Sequence, residues 1–155
     1  MDSVDPLLKL LDRFNREGVQ YILVGGQAVR LNGFLRNTED IDILLPSSTE
    51  NGVRVIKALD FLPSANELKF EWFKSDPEAP ENIRVADDLL IDLLFAANGQ
   101  TYDSLAPHVR TIIVDDVEIR TLDIEGLLKT KTHYREKDLL DRQALLKILA
   151  RLKQE

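Results

Sequence analysis

Cysteine is absent from the 155 residues, and histidine occurs only twice, as His108 and His133. These absences exclude thiolate zinc sites, cysteine nucleophiles and redox pairs, and leave any metal to oxygen ligands. No apolar run approaches the ~18 residues that would span a bilayer, and Met1-Asp2-Ser3-Val4-Asp5-Pro6 has no basic lead into one. Secretion and membrane insertion are not expected, and the lack of cysteine fits a reducing cytoplasm. Seven glycines and six prolines are too few for collagen-like or low-complexity structure. There is no Gly-rich loop ending in Gly-Lys-Ser/Thr and no six-residue dinucleotide fingerprint, so P-loop and Rossmann readings lack their motifs. No internal repeat and no separating linker is present.

What remains is 44% hydrophobic and 30% charged, the composition of a globular chain long enough to bury a core without a disulfide or metal staple. The length fits one domain over 1–155. The net charge of −7 hides a gradient: 7 basic and 9 acidic residues in 1–60, 5 and 14 in 61–125, 8 and 4 in 126–155. An acidic whole argues against broad nonspecific nucleic-acid binding, while the basic tail leaves room for a local phosphate contact.

Leu7, Leu8, Leu11 and Phe14 form an apolar stripe of helical period over 4–17, ended by Gly18. Tyr21-Ile22-Leu23-Val24 is a buried strand that runs into Gly25-Gly26, with a helix following over 27–33. Asp40-Ile41-Asp42-Ile43-Leu44-Leu45 is a strand with two unlike faces. Ser47 and Ser48 serve as caps for a helix through Val53, Ile56 and Leu59. Leu68–Phe73 alternates as a strand, which assigns Phe70, Trp72 and Phe73 to the core. Ser75–Glu81 is a loop, Leu89–Phe95 a nearly all-apolar strand, and Val109–Val114 with Val117–Thr121 a hairpin. Helices are predicted over 124–132 and 138–152.

Strand residues i and i+2 share a face, so Asp40 and Asp42 stand side by side about 6.6 Å apart while Ile41 and Ile43 pack behind them. Asp92 interrupts an apolar strand, where an ionised group is costly unless something pairs with it. A cation shared by Asp40, Asp42 and Asp92 would satisfy all three, and oxygen-only ligation points to Mg²⁺ or Mn²⁺. The alternative is that Asp40 caps a turn, Asp42 faces solvent and Asp92 meets an Arg. Asp88 shares the parity of Asp92 and ranks second. Gly25-Gly26, between strand and helix, allows backbone to approach a phosphate closely.

Gly25-Gly26, one helix, Asp40-Ile41-Asp42 and a distant strand Asp92 together resemble the signature of the DNA polymerase beta-like nucleotidyltransferases. Val24-Gly25-Gly26-Gln27-Ala28 with Arg36-Asn37-Thr38-Glu39-Asp40-Ile41-Asp42-Ile43, and later Lys131, Arg135, Lys137-Asp138 and Asp141, is similar to the abortive-infection type of bacterial nucleotidyltransferase, which includes toxins of toxin–antitoxin pairs. The resemblance runs from about Tyr21 to Leu149. It implies an α+β fold: a mixed β-sheet flanked by helices, with a catalytic core over about 19–122 and a C-terminal helical pair over about 123–153. It also implies that Gly25 and Gly26 hold a triphosphate, with Thr38, Lys131 and Arg135 contacting the nucleotide. Asp40, Asp42 and Asp92 would bind two Mg²⁺ or Mn²⁺ ions. The Lys131-to-Arg135 interval is one residue shorter than the family pattern.

The implied activity is transfer of a nucleoside monophosphate from a nucleoside triphosphate, ATP among them, to a hydroxyl of an RNA end such as tRNA, a protein or a small molecule, and the implied partner is a cognate toxin or antitoxin. The competing reading is a catalytically inactive binding or regulatory protein on the same fold. A cationic antibiotic is a third candidate acceptor, attracted by the acidic middle segment. His108 and His133 read as surface or hairpin-edge residues. Arg36 is assigned equally to a phosphate contact or to an ion pair with the nearby aspartates.

Overall fold

The computed structural model describes residues 5–34 and 40–154. Helix α1 (Pro6–Arg16) starts where Asp5 accepts a hydrogen bond from the Leu7 N–H at 2.9 Å and Pro6 supplies a preset first helical residue. It buries Leu7, Leu8, Leu10, Leu11 and Phe14, and it ends ahead of Gly18, whose φ of +70° suits glycine. Phe14 meets the ring of Tyr21 at 5.5 Å. Strand β1 (Ile22–Val24), wholly buried, leads directly into α2 (Gly25–Leu31), so the second helix begins at the glycine pair itself rather than two residues later.

The main sheet has the order β1-β2-β4-β3, with β2 at Asp40–Leu44, β3 at Ile83–Ala86 and β4 at Leu90–Leu94. It is mixed: β1 and β3 run antiparallel to their neighbours, while β2 and β4 are parallel. Ile41, Ile43, Ile91 and Leu93 are buried on one face, as the alternation of β2 and β4 requires. Helix α3 (Thr49–Ala58) is capped by Ser48, whose Oγ accepts from the Asn51 N–H, and Asn51 in turn bonds both the N–H and the carbonyl of Gln20. The hairpin of β5 (Val109–Val114) and β6 (Val117–Leu122) turns at Asp115 and Asp116, both at positive φ. It is tied to β1 by the buried Thr121 hydroxyl, which donates to the Leu23 carbonyl at 2.8 Å. Helices α4 (Ile124–Thr130) and α5 (Glu136–Gln154) follow, the former capped by Asp123.

The segment expected as a strand over 68–73 is not one. Pro63–Glu67 and Phe70–Phe73 are 3₁₀ turns. A 3₁₀ turn brings only one of the aromatics inward: Phe73 is fully buried, edge-on to Phe95 and against Gly52, while Phe70 and Trp72 are each 48% exposed. The core assignment therefore holds for Phe73 alone. β3 was not foreseen.

Candidate functional site

Asp42 of β2 and Asp92 of β4 are direct partners in the parallel ladder, and Asp40 stands two residues before Asp42 on the same face. Like charges opposite one another weaken a sheet, so this pairing is maintained against local stability. Burial raises the Asp42 carboxyl to about 6, with the charges of Asp92 and then Asp40 adding to it; Lys131 pulls the other way. Gly25, at φ +70°, lies so close that a Cβ there would come within 2.0 Å of Asp42 Oδ2. Any larger residue would displace the carboxylate or the turn.

Arg84 of β3, opposite Asp92 in the antiparallel ladder, reaches Asp40 and Asp92 at 3.6 Å each. The Arg partner that the alternative reading gave Asp92 is thus present together with the expected clustering of the three aspartates. Asp42 does not face open solvent, contrary to the alternative reading. Asp88 lies outside the site, because the β3–β4 ladder runs through Ala86 and Leu90 and leaves it exposed in the turn.

These residues line one cleft of about 820 Å³ that also takes in Gly25, Gly26, Lys131, Arg135 and Lys137. The C-terminal helices therefore bring their basic residues to the carboxylates. Lys131 is not a free cation: it is buried, with Nζ 3.1 Å from Asp141 of α5. Asp138 accepts from the Thr132 N–H and hydroxyl, both at 2.9 Å, and Thr132 Oγ1 accepts from the Arg135 N–H. Asp138 thereby fixes the loop that carries Arg135. Thr38 and Arg36 lie outside the described residues. His108, half-buried in the 3₁₀ turn just before β5, lies 3.1 Å from Asp123, and His133 is exposed.

Among the described residues no three acidic or histidine side chains converge on one point as a ready-made metal cage. Three carboxylates without a cation repel one another, and the Arg84 guanidinium is the positive group that reaches both Asp40 and Asp92. The donor set nevertheless suits a hard divalent ion, being oxygen-only, paired across two strands and strained by its own charge.

No protein-family model matches the chain, and no curated protein sequence matches it. The chain is similar in shape to solved structures that include the following two. A Thermotoga maritima protein assigned as a nucleotidyltransferase superposes with a TM-score of 0.56 at 18% identity, covering 96% of this chain and 84% of that one. The lincosamide antibiotic adenylyltransferase LnuA, with lincomycin bound, superposes with a TM-score of 0.60 at 22% identity, covering 95% of this chain and 99% of that one. The chain has the nucleotidyltransferase fold. Within that fold, Arg84, Asn82 and Asp141 are cleft residues that sequence reasoning did not place in the site. Asp141 belonged to the quoted C-terminal pattern; the signal for Arg84 was the need of Asp92 for a positive partner.

Proposed function

We propose that the protein transfers a nucleoside monophosphate from a nucleoside triphosphate to a hydroxyl acceptor, using Mg²⁺ or Mn²⁺ held by Asp40, Asp42 and Asp92. The observation that carries this reading is the gathering of three same-face carboxylates from β2 and β4 beside the Gly25-Gly26 turn, in one cleft with Lys131 and Arg135. Bound there, divalent ions would neutralise phosphate charge and favour the attacking oxygen. Gly25 and Gly26 leave the space for a triphosphate to approach backbone. Arg135 and Lys131 supply charge-assisted donors to its oxygens. The acceptor oxygen bonds to the α-phosphorus as the α–β bridging bond breaks, pyrophosphate leaves with the bonding pair, and a cleft carboxylate takes the hydroxyl proton.

The resemblance to abortive-infection nucleotidyltransferases extends the proposal to an RNA end or a protein as acceptor and to a toxin–antitoxin partner. The similarity to an antibiotic adenylyltransferase over 95% of this chain favours ATP as donor and a small-molecule acceptor. One observation supports the inactive, regulatory reading: the Arg84 guanidinium lies between two of the carboxylates a metal would need. Incubation with each α-labelled nucleoside triphosphate, Mg²⁺ or Mn²⁺, total tRNA and cell lysate separates the readings. Metal-dependent label on an acceptor supports transfer; the absence of label with every donor supports the regulatory protein.

A further inference from the structure

A helix that lies on the surface of a domain carries its apolar residues in one stripe toward the core and polar residues opposite. Helix α5 departs from that arrangement. Of its 19 residues, Asp138, Asp141 and Leu145 are buried, and Ile148 and Leu149 pack partly against the core. Leu139 and Leu146 lie on the side turned away from these and are 42% and 49% exposed. One exposed leucine is ordinary. Two at an interval of seven on the outer side of one helix form a pattern.

The pattern extends along the whole helix. Glu136, Leu139, Gln143, Leu146, Ala150 and Lys153 follow one another at alternating intervals of three and four, the spacing of a coiled-coil seam, and all six are exposed. This seam complements itself in one orientation. With two copies antiparallel, Glu136 meets Lys153 of the second copy at both ends, Leu139 meets Ala150, and Gln143 meets Leu146. Unlike charges then close the ends, and each large apolar side chain faces a smaller or a flexible one. With two copies parallel, Glu136 would face Glu136 and Lys153 would face Lys153, which places like charges together at both ends.

We propose that the outer face of α5 docks against the same face of a second copy of this chain, antiparallel about a two-fold axis at the level of Ala144 and Leu145. Such a contact is isologous and closes on itself as a dimer. It stands independently of nucleotidyl transfer, although it bears on the cleft: Lys153 of the second copy comes beside Glu136, next in sequence to the cleft residue Lys137. One helix face per copy is a small interface, and those below about 1,200 Å² are weak, so the dimer is expected to dissociate in the micromolar range.

Sedimentation velocity on the full chain from about 5 to 500 µM spans that range. The expected result is a concentration-dependent equilibrium between monomer and dimer. Leu146→Asp is expected to stay monomeric throughout while keeping the wild-type far-ultraviolet circular dichroism, because the position is exposed. Glu136→Lys and Lys153→Glu are each expected to weaken the dimer roughly three- to tenfold, since two exposed ion pairs become like-charge pairs, and the two changes combined are expected to restore it. Should Leu146→Asp lose helix, the charge exchange decides alone. A wild type that remains monomeric at the highest concentration overturns the assignment and leaves this face to a different protein. A dimer indifferent to a folded Leu146→Asp, or a combined variant no tighter than either single one, overturns it as well.

Discussion

Replacing Asp42 with Asn separates the cost of the carboxylate cluster from its use. In the folded protein Asp42 titrates at about 6 instead of 3.8, so between those values the folded state holds a proton that the unfolded chain has lost. Stability therefore falls as pH rises through that window and is lowest, for this group, above about pH 7. A displacement of that size corresponds to about 3 kcal/mol. Asn also forfeits the attraction of Lys131 and still buries a polar group, so the net gain at pH 8 is about 1–2 kcal/mol. For a chain of this length that is roughly 3–6 °C in Tm. Differential scanning calorimetry in metal-free buffer should show Asp42→Asn melting above wild type at pH 8, with the gap narrowing as pH falls below about 6. The same variant should transfer no nucleotide. A variant that melts lower than wild type at pH 8, or a gap independent of pH, would refute the repulsion argument.

Gly25→Ala places a Cβ against Asp42 Oδ2 at a φ of +70°, so we expect a loss of about 1–2 kcal/mol in urea unfolding together with loss of metal-dependent nucleotide binding. Lys131→Ala strands the buried Asp141 carboxylate; removing one member of such a pair costs about 3–5 kcal/mol, and Lys131→Ala combined with Asp141→Asn should recover part of it. Lys147→Ala, exposed on α5 and remote from the cleft lining, should change neither stability nor nucleotide use measurably. Thr121→Val removes the buried bond to the Leu23 carbonyl and should lower stability by about 1–2 kcal/mol without altering nucleotide binding.

The site was more legible than the sheet that carries it. Asp40, Asp42 and Asp92 stand out because a carboxylate inside an apolar alternating strand demands a reason, and parity alone puts the first two on one face. Their approach to Asp92 depends on a parallel ladder between strands about fifty residues apart, which no local pattern encodes. β3 escaped because Ile83-Arg84-Val85-Ala86 is a four-residue edge strand after a polar, proline-bearing loop, with too few apolar positions to show a period. The alternation of Leu68–Phe73 misled because its exposed aromatics mimic a strand's inward face; Pro63 and the turn it opens decide the local structure. Lys131 and Asp141 lie ten residues apart, and the turn between α4 and α5, in which Thr132 bonds Asp138, brings them together as a pair.

The central claim, that Asp40, Asp42 and Asp92 hold divalent cations for a nucleotide seated at Gly25-Gly26, is tested most directly by Mn²⁺ titration under electron paramagnetic resonance with a non-hydrolysable nucleoside triphosphate. Wild type should withdraw about two Mn²⁺ per chain in a nucleotide-dependent manner, and Asp42→Asn should withdraw less than half as much at the same concentrations. Equal uptake by the two proteins, or uptake by wild type that ignores the nucleotide, would contradict the account.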